Sequence, residues 1–169
     1  MNKEFTLLYK KYKDPIFAYI FYLSNNYSEA EEICQDVFLK VYLNIDKFEG
    51  RSSFKTWIYR IAKNTFLEFK RKEKREVLTS EIDVFEKPKD YHQSIPEAYL
   101  ENMEKNLVIQ KTLDKISEKY KTFIILRDMQ NLSYQEISEI TDTKLSTVKV
   151  NIYRARRQFQ NIYNKLEGM

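Results

Sequence analysis

The sequence is poor in residues that interrupt helices and in residues that build metal and nucleophile sites. Its 169 residues include two glycines, three prolines, one cysteine and one histidine. The single cysteine, Cys34, excludes an internal disulfide framework and is typical of a reducing cytosol. One histidine and one cysteine are too few for a zinc site built from these ligands alone, or for the usual Cys–His and Ser–His–Asp arrangements. We therefore expect no enzyme activity, no metal and no cofactor.

Long apolar segments are also missing. No apolar run approaches the roughly 18 residues that a membrane span needs, and the amino terminus lacks the apolar block of a signal peptide. We expect a cytoplasmic protein without direct membrane insertion. Because glycine and proline are rare and charged residues occur throughout, the composition predicts long amphipathic helices and no sheet, which is an all-α fold.

The charge of the chain falls into three blocks. Residues 1–80 carry 15 Lys/Arg and 11 Asp/Glu, residues 81–106 carry 3 and 7, and residues 107–169 carry 11 and 7. A basic, acidic, basic order suggests two lobes that face nucleic acid, joined by an acidic tether. The tether contains Pro88 and Pro96, and apolar periodicity lapses in it. We predict two small helical domains at 1–76 and 97–169, on a flexible linker at 77–96.

Helix signals divide the first lobe into four predicted helices. The first helix should break or kink at Asp14-Pro15, where proline can open the second helix. Ser28 and Glu31 match a capping box that would begin a helix running from about Glu29 to Ile45. The fourth helix is predicted from about Ser53 to Lys74.

The predicted helix at 29–45 has a second stripe beside its main apolar face. The stripe consists of Glu32, Gln35, Leu39 and Leu43. Exposed leucines beside an already buried face are typical of a surface that binds a partner. The alternative is that Leu39 and Leu43 pack under a neighbouring helix, and the spacing does not decide between the two.

The fourth predicted helix combines an apolar face with cations, an amide and the only tryptophan. Apolar residues recur at i, i+3 and i+4 from Phe54 to Phe69. Trp57, Asn64 and Arg60 fall at the border of that face, with Lys63 further round. Such a helix edge suits a phosphate backbone and unstacked bases. A solvated basic face with a tryptophan at the edge of the core is an equally good interpretation of the spacing.

The second lobe ends in a helix-turn-helix pattern. Ser133 and Glu136 form a capping box before a short helix, and a turn at 141–145 separates it from a longer helix capped by Ser146 or Thr147. Between residues 144 and 157 there are five cations and no acid, which fits a polyanion groove. The exposed residues expected at the major groove are Thr147, Lys149, Val150, Asn151, Tyr153, Arg154 and Arg157.

Two blocks of sequence carry a family resemblance. The first runs from Ala30 to Tyr42 and continues through Phe48-x-Gly50 to Ser53–Asn64, and the second joins Leu132–Ile137 to Ser146–Arg156. In this order and separation they resemble bacterial RNA polymerase sigma factors of the extracytoplasmic-function (ECF) group. The resemblance covers nearly the whole chain and implies a promoter-melting domain followed by a domain that reads the −35 element. It departs from the family at 141–145, which lacks glycine, and at 116–121, which lacks the usual Leu-Pro pair.

The resemblance implies a role for each matching residue. Residues that would bind core polymerase are Gln35, Asp36 and Leu39. Residues that would shape a pocket for a flipped base of the −10 element are Phe48 and Asn64. Residues that would support strand separation and hold the non-template backbone are Trp57, Arg60 and Lys63. Residues that would contact the −35 element or its phosphates are Thr147, Lys149, Arg154 and Arg156.

The implied partners are core RNA polymerase, promoter DNA and an anti-sigma factor that clamps both lobes and is often membrane-tethered. Two other classes of protein remain open on the sequence. A stand-alone helix-turn-helix regulator would bind duplex DNA without polymerase, but the block around Trp57 would then have no purpose. A purely helical interaction protein would use its basic faces only for solvation.

Overall fold

The structure is a computed structural model and describes residues 3–79 and 103–168. These two ranges contain no strand, so the predicted all-α fold is confirmed. None of the helices in them is long and apolar enough to cross a membrane. Most of the predicted linker lies outside the described residues. The helices are α1 (Lys3–Ser24), α2 (Tyr27–Asn44), α3 (Phe54–Thr79), α4 (Met103–Lys115), α5 (Glu118–Ile124), α6 (Tyr134–Thr141) and α7 (Leu145–Glu167).

Helix α1 continues through Pro15, so the predicted break at Asp14-Pro15 is wrong. A proline inside a helix removes one backbone hydrogen bond and costs about 3 kcal/mol. One face of α1 compensates by burying Ile16, Tyr19 and Ile20 completely. Full burial of an apolar side chain contributes about 1.5–3 kcal/mol, so the core of the first lobe holds the helix together across the proline.

Helix α2 begins earlier than predicted, and its cap differs. Asn26 is the N-cap, and its Oδ1 accepts a hydrogen bond of 3.1 Å from the backbone N–H of Glu29. The predicted capping box of Ser28 and Glu31 is therefore wrong. Asn25 has φ 49°, a conformation that asparagine tolerates better than most residues, and it turns the chain between α1 and α2.

The second lobe contains the predicted helix-turn-helix. The capping box of Ser133 and Glu136 is confirmed, with bonds of 3.0 and 2.7 Å between each side chain and the other residue's backbone N–H. Asp142 takes the left-handed conformation (φ 50°, ψ 49°) that glycine usually provides at the end of a helix. Lys144, and neither Ser146 nor Thr147, is the N-cap of α7.

Two short segments complete the described helices. A 3₁₀ turn at Ile45–Lys47 ends α2 and leads towards the loop before α3. A π-helical turn at Ile125–Met129 continues α5 with a change of hydrogen-bonding pattern. The two lobes contact each other, α3 against α6 and α1 against the π-helical turn and α4.

Candidate nucleic-acid interface

Three aromatic rings stand together where the loop after α2 meets the start of α3. Phe48 lies 5.2 Å from Trp57 and 5.7 Å from Phe54 between ring centroids, and Phe54 and Trp57 are 5.4 Å apart. Gly50, with φ 68°, turns the chain back towards α3. The Ser53 hydroxyl accepts a 3.1 Å hydrogen bond from the Thr56 N–H and so stabilises the start of that helix. The loop and the helix therefore hold Phe48 beside Trp57.

A cavity of about 500 Å³ opens beside this cluster, between the end of α2 and α3. Trp57 and Asn64 line it from α3, and Asn64 is exposed. The lining residues that the sequence analysis did not single out are Lys40, Asn44, Lys47, Ile61, Thr65 and Glu68. The cavity thus combines an aromatic wall with amide and ammonium donors, a combination that can stack a base and bond to its edge.

The ammonium groups at this cavity are held by side chains of both α2 and α3. Lys40 Nζ lies 2.6 Å from a Glu68 carboxylate oxygen and 3.5 Å from an Asp36 oxygen. Burial lowers its pKa, but hydrogen bonding to Glu68 and the negative charges of Asp36 and Glu68 outweigh burial and raise the pKa overall. Lys47 Nζ donates to Asn44 Oδ1 over 3.3 Å. The residues at 40, 44 and 47 share a face because they lie four and three positions apart.

Arg60 and Lys63 lie on a different flank of α3 from the cavity. Arg60 Nε and Nη2 donate to the backbone carbonyl oxygen of Glu139 on α6, over 3.2 and 2.5 Å. Lys63 lines a separate space of about 230 Å³ between the lobes, and burial together with the charge of Arg60 lowers its pKa against the opposing effect of Asp142. The structure brings Phe48, Trp57 and Asn64 together, whereas the two cations face the second lobe.

The exposed face of α7 carries most of the residues predicted to meet the −35 element. Thr147, Lys149 and Arg154 are exposed, and Tyr153 is 61% exposed. Asn151 was expected on this face but is only 5% exposed, because it lies next to Ile152 on the side that packs into the lobe. The face that remains is basic and can enter a groove as a recognition helix does.

Arg156 is committed to an ion pair within the second lobe. Its Nε and Nη2 donate to the two Asp128 carboxylate oxygens over 2.9 and 2.6 Å. The hydrogen bonds to Asp128 raise the pKa of Arg156 above its ordinary value. This bidentate pair ties α7 to the π-helical turn. The sequence does not reveal this role, because residues 28 positions apart show no periodic relation.

The second stripe of α2 is exposed in the structure. Leu39 is 55% exposed and Leu43 is 64% exposed, so they do not pack under a neighbouring helix. Gln35 and Asp36 are exposed beside them. Tyr42, 46% exposed, extends the apolar part of the surface. This patch has the exposure expected of a surface that binds a partner.

Comparison with known proteins follows the division of the chain into lobes. Family models described as "Sigma-70 region 2" and "Sigma-70, region 4" match residues 8–76 and 106–159. The RNA polymerase sigma factor YlaC of Bacillus subtilis is 33% identical over 94% of this chain and 91% of its own length. The ECF sigma factor SigW of the same organism is 36% identical over 86% of this chain and 81% of its own length. This chain belongs to the ECF sigma factors.

Solved structures agree with the family. One is the sigma factor RpoE of Bartonella quintana in complex with the anti-sigma factor NepR. The match covers 95% of this chain and 97% of RpoE, with a TM-score of 0.76 and 26% sequence identity. CnrH, in complex with the cytosolic domain of CnrY, shares the fold at a TM-score of 0.71. The family initiates transcription and is not a family of catalytic enzymes. The ECF sigma factor interpretation is therefore favoured over a stand-alone regulator.

Proposed function

We propose that this ECF sigma factor binds core RNA polymerase, docks α7 on the duplex −35 element and holds a melted −10 element on α3. The observation that carries the proposal is the cavity in which Trp57 and Asn64 face the donors at the end of α2. A helix-turn-helix alone would fit many DNA-binding proteins. A second, separate site suited to an unstacked base is what a protein that opens DNA requires.

At the −10 site, stacking of a base on aromatic rings can offset the free-energy cost of strand opening. Extruding a base from a duplex costs a few kcal/mol. Stacking on an aromatic side chain contributes about 1–3 kcal/mol per base, and Phe48 and Trp57 both provide rings at this site. The Asn64 amide can donate and accept a hydrogen bond at the edge of that base. Binding of the melted strand, without covalent chemistry, then shifts the equilibrium towards open DNA.

The −35 site follows from the basic face of α7. Lys149 and Arg154 are exposed and supply charge for phosphates or base edges, and Thr147 lies in the first turn, where recognition helices meet the groove. We assign Arg156 a lesser share of this contact, because its guanidinium is already paired with Asp128. It would have to leave that carboxylate, or share it, to bind DNA.

Core polymerase would bind the exposed patch of α2. Gln35, Asp36 and Leu39 combine polar side chains with an apolar one that the first lobe leaves uncovered. An anti-sigma factor is proposed as a further partner by analogy with RpoE, whose structure was solved with NepR. We propose that the chain works in the cytoplasm, where its polymerase would be, with domains at about 1–76 and 97–169 and a linker at 77–96.

Run-off transcription with purified core polymerase tests the proposal. Discrete starts that depend on this chain and share two spaced upstream elements are expected. Asn64→Ala should reduce transcription from duplex promoters, and Leu39→Ala should weaken core binding. Each variant leaves the other site intact and serves as its control. Absence of both core binding and chain-dependent starts, with sequence-specific duplex binding by the isolated chain, would favour a stand-alone regulator.

A further inference from the structure

A second cavity of about 500 Å³ lies between α1 and α2 in the first lobe, and it shares no lining residue with the cavity beside Trp57. Its aromatic lining comes from both helices, with Tyr9 and Phe17 from α1 and Tyr27 and Phe38 from α2. The volume is in the range of pockets that hold small ligands, about 300–1,000 Å³. No residue that we propose to contact DNA lines this cavity.

The four rings form two pairs at opposite ends of the cavity. Phe17 and Tyr27 have ring centroids 5.3 Å apart, and Tyr9 and Phe38 have ring centroids 4.9 Å apart. Because Tyr9 and Phe17 lie eight positions apart on α1, the two pairs are separated by about 12 Å along the helix. Phe38 is only 7% exposed, whereas Phe17 and Tyr27 are both half-buried. The pair of Phe17 and Tyr27 therefore presents more of its surface to a ligand.

Two carboxylates lie one helical turn from the pair of Phe17 and Tyr27. Asp14 is three positions before Phe17 on α1, and Glu31 is four positions after Tyr27 on α2. Each acid is therefore on the same helix face as its ring. Both acids line the cavity, and neither has a hydrogen bond or ion pair within the described residues. Negative charge and aromatic surface thus meet at one end of the cavity.

The lining of the cavity carries a net negative charge. Lys13 is the cation among the described lining residues, so one ammonium group faces two carboxylates at neutral pH. Burial raises the pKa of the Cys34 thiol, which also lines the cavity, to about 12, so this thiol stays uncharged. Elsewhere in the described residues cations lie over aromatic rings, as Lys70 does over Phe66, but none of them lies over the four rings of this cavity.

An organic cation would interact with both kinds of group at once. A quaternary ammonium or a guanidinium group is attracted to the face of an aromatic ring and to a carboxylate. A metal ion would bind the carboxylates alone and leave the rings without a role, and a neutral apolar molecule would gain nothing from the acids. We propose that the cavity between α1 and α2 is a binding site for a small organic cation, held beside Phe17 and Tyr27 by Asp14 and Glu31.

The cavity borders the surface that we propose to bind core polymerase. Gln35 lines the cavity and also belongs to the exposed patch of α2. A bound cation and core polymerase would therefore contact the same side chain, and each should lower the affinity of the chain for the other by the same factor. This consequence rests on the proposed sigma function, whereas the site itself does not.

Calorimetric titration of the full chain with choline tests the site. The matched control ligand is the neutral carbon isostere of choline, in which a tert-butyl group replaces the trimethylammonium group. Choline should bind saturably with a dissociation constant of about 1 mM or tighter, and the isostere should bind at least about tenfold more weakly. Sodium chloride keeps the ionic strength equal in the two titrations, so that screening does not differ. Agmatine, titrated in the same way, shows whether a guanidinium group binds more tightly than trimethylammonium.

Four substitutions locate the bound cation. Glu31→Gln removes one acid with little change of shape and should weaken choline binding about two- to fivefold. Phe17→Leu removes one ring and should weaken it about two- to thirtyfold. Lys13→Met removes the opposing ammonium group and should strengthen binding by up to about fivefold. Glu32→Gln makes the same change at the adjacent residue, which does not line the cavity, and should leave binding unchanged. Because Glu31 is exposed, Glu31→Gln still tests the site if Phe17→Leu does not fold.

The outcomes separate the site from its effect on polymerase. Absence of saturable binding by both choline and agmatine overturns the site, and so does equal binding of the neutral isostere or equal weakening by Glu31→Gln and Glu32→Gln. Core affinity is measured with choline chloride and with sodium chloride at the same ionic strength. Choline should lower the core affinity of wild type, and the same choline concentration should lower that of Glu31→Gln less. Choline binding with unchanged core affinity refutes the coupling alone, and a wild-type chain that does not bind core polymerase refutes the sigma function alone.

Discussion

The ion pair between Arg156 and Asp128 allows a stabilising role on α7 to be separated from a DNA-binding role. Both side chains are more than a third exposed, at 47% and 37%. Solvent screens such a pair, so we assign it about 0.5–1 kcal/mol of unfolding free energy. For a domain of 60–100 residues, a loss of 1 kcal/mol shifts Tm by about 4–8 °C. Asp128→Ala should therefore lower Tm by about 2–8 °C.

The same pair predicts opposite effects on DNA. Asp128→Ala frees Arg156, so the affinity of the holoenzyme for a −35 duplex should stay the same or rise. Arg156→Ala should lower both Tm and affinity. Arg154 has no hydrogen bond or ion pair within the described residues. Arg154→Ala should therefore lower affinity by about 1–3 kcal/mol if it reads a base, or reduce the salt slope by about one if it binds a phosphate, with Tm unchanged.

Two measurements on the three variants separate the stabilising role from the DNA-binding role. Calorimetry gives Tm, and titration of a labelled −35 duplex with holoenzyme at several salt concentrations gives affinity and slope. Core binding, measured beside them, should be equal in all variants. The reasoning is refuted if Asp128→Ala leaves Tm unchanged or lowers DNA affinity as much as Arg156→Ala does.

Further predictions concern Asn64, Asp142 and Cys34. Asn64→Ala should reduce run-off from duplex promoters while core affinity in a pull-down stays unchanged. Asp142→Ala should lower the unfolding free energy by about 1 kcal/mol in thermal denaturation, because alanine is strained at φ 50°, whereas Asp142→Gly should not. Burial raises the pKa of Cys34 to about 12 from 9.0, so at pH 8 iodoacetamide should react about a thousandfold more slowly than with the unfolded chain. The unfolded thiol ionises first, so stability should fall as pH rises from 9 towards 12.

The sequence predicted the structural features that depend on residues close together in the chain. The capping box of Ser133 and Glu136 depends on two residues three positions apart and is present in the structure. Val148, Ile152 and Ala155 are spaced four and three positions apart and lie on the buried face of α7. Asn151 was misplaced because it is polar, although it lies three positions after Val148 and four before Ala155, on the same buried face. The continuous α1 was missed because packing of its apolar face, which no local rule contains, outweighs Pro15.

The candidate site also contains residues that the sequence identifies and contacts that only the tertiary structure shows. Phe48, Trp57 and Asn64 could be named from two sequence blocks, and the structure brings them to one place. The contributions of Asn44 and Lys47 depend on how the end of α2 packs beside α3, which the sequence does not reveal. The partner of Arg60 lies 79 residues away on another lobe. Contacts of that kind arise only from the tertiary arrangement.

The interface between the lobes has few polar contacts, but both of its sides belong to the same chain. Two sites joined by a segment of about 23 residues meet at an effective concentration on the order of millimolar. An interface with a millimolar intrinsic dissociation constant is then about half formed within the chain, although separate lobes at micromolar concentration would scarcely associate. Covalent continuity therefore converts a weak contact into a concentration-independent equilibrium. Cutting the chain between the lobes would abolish that equilibrium.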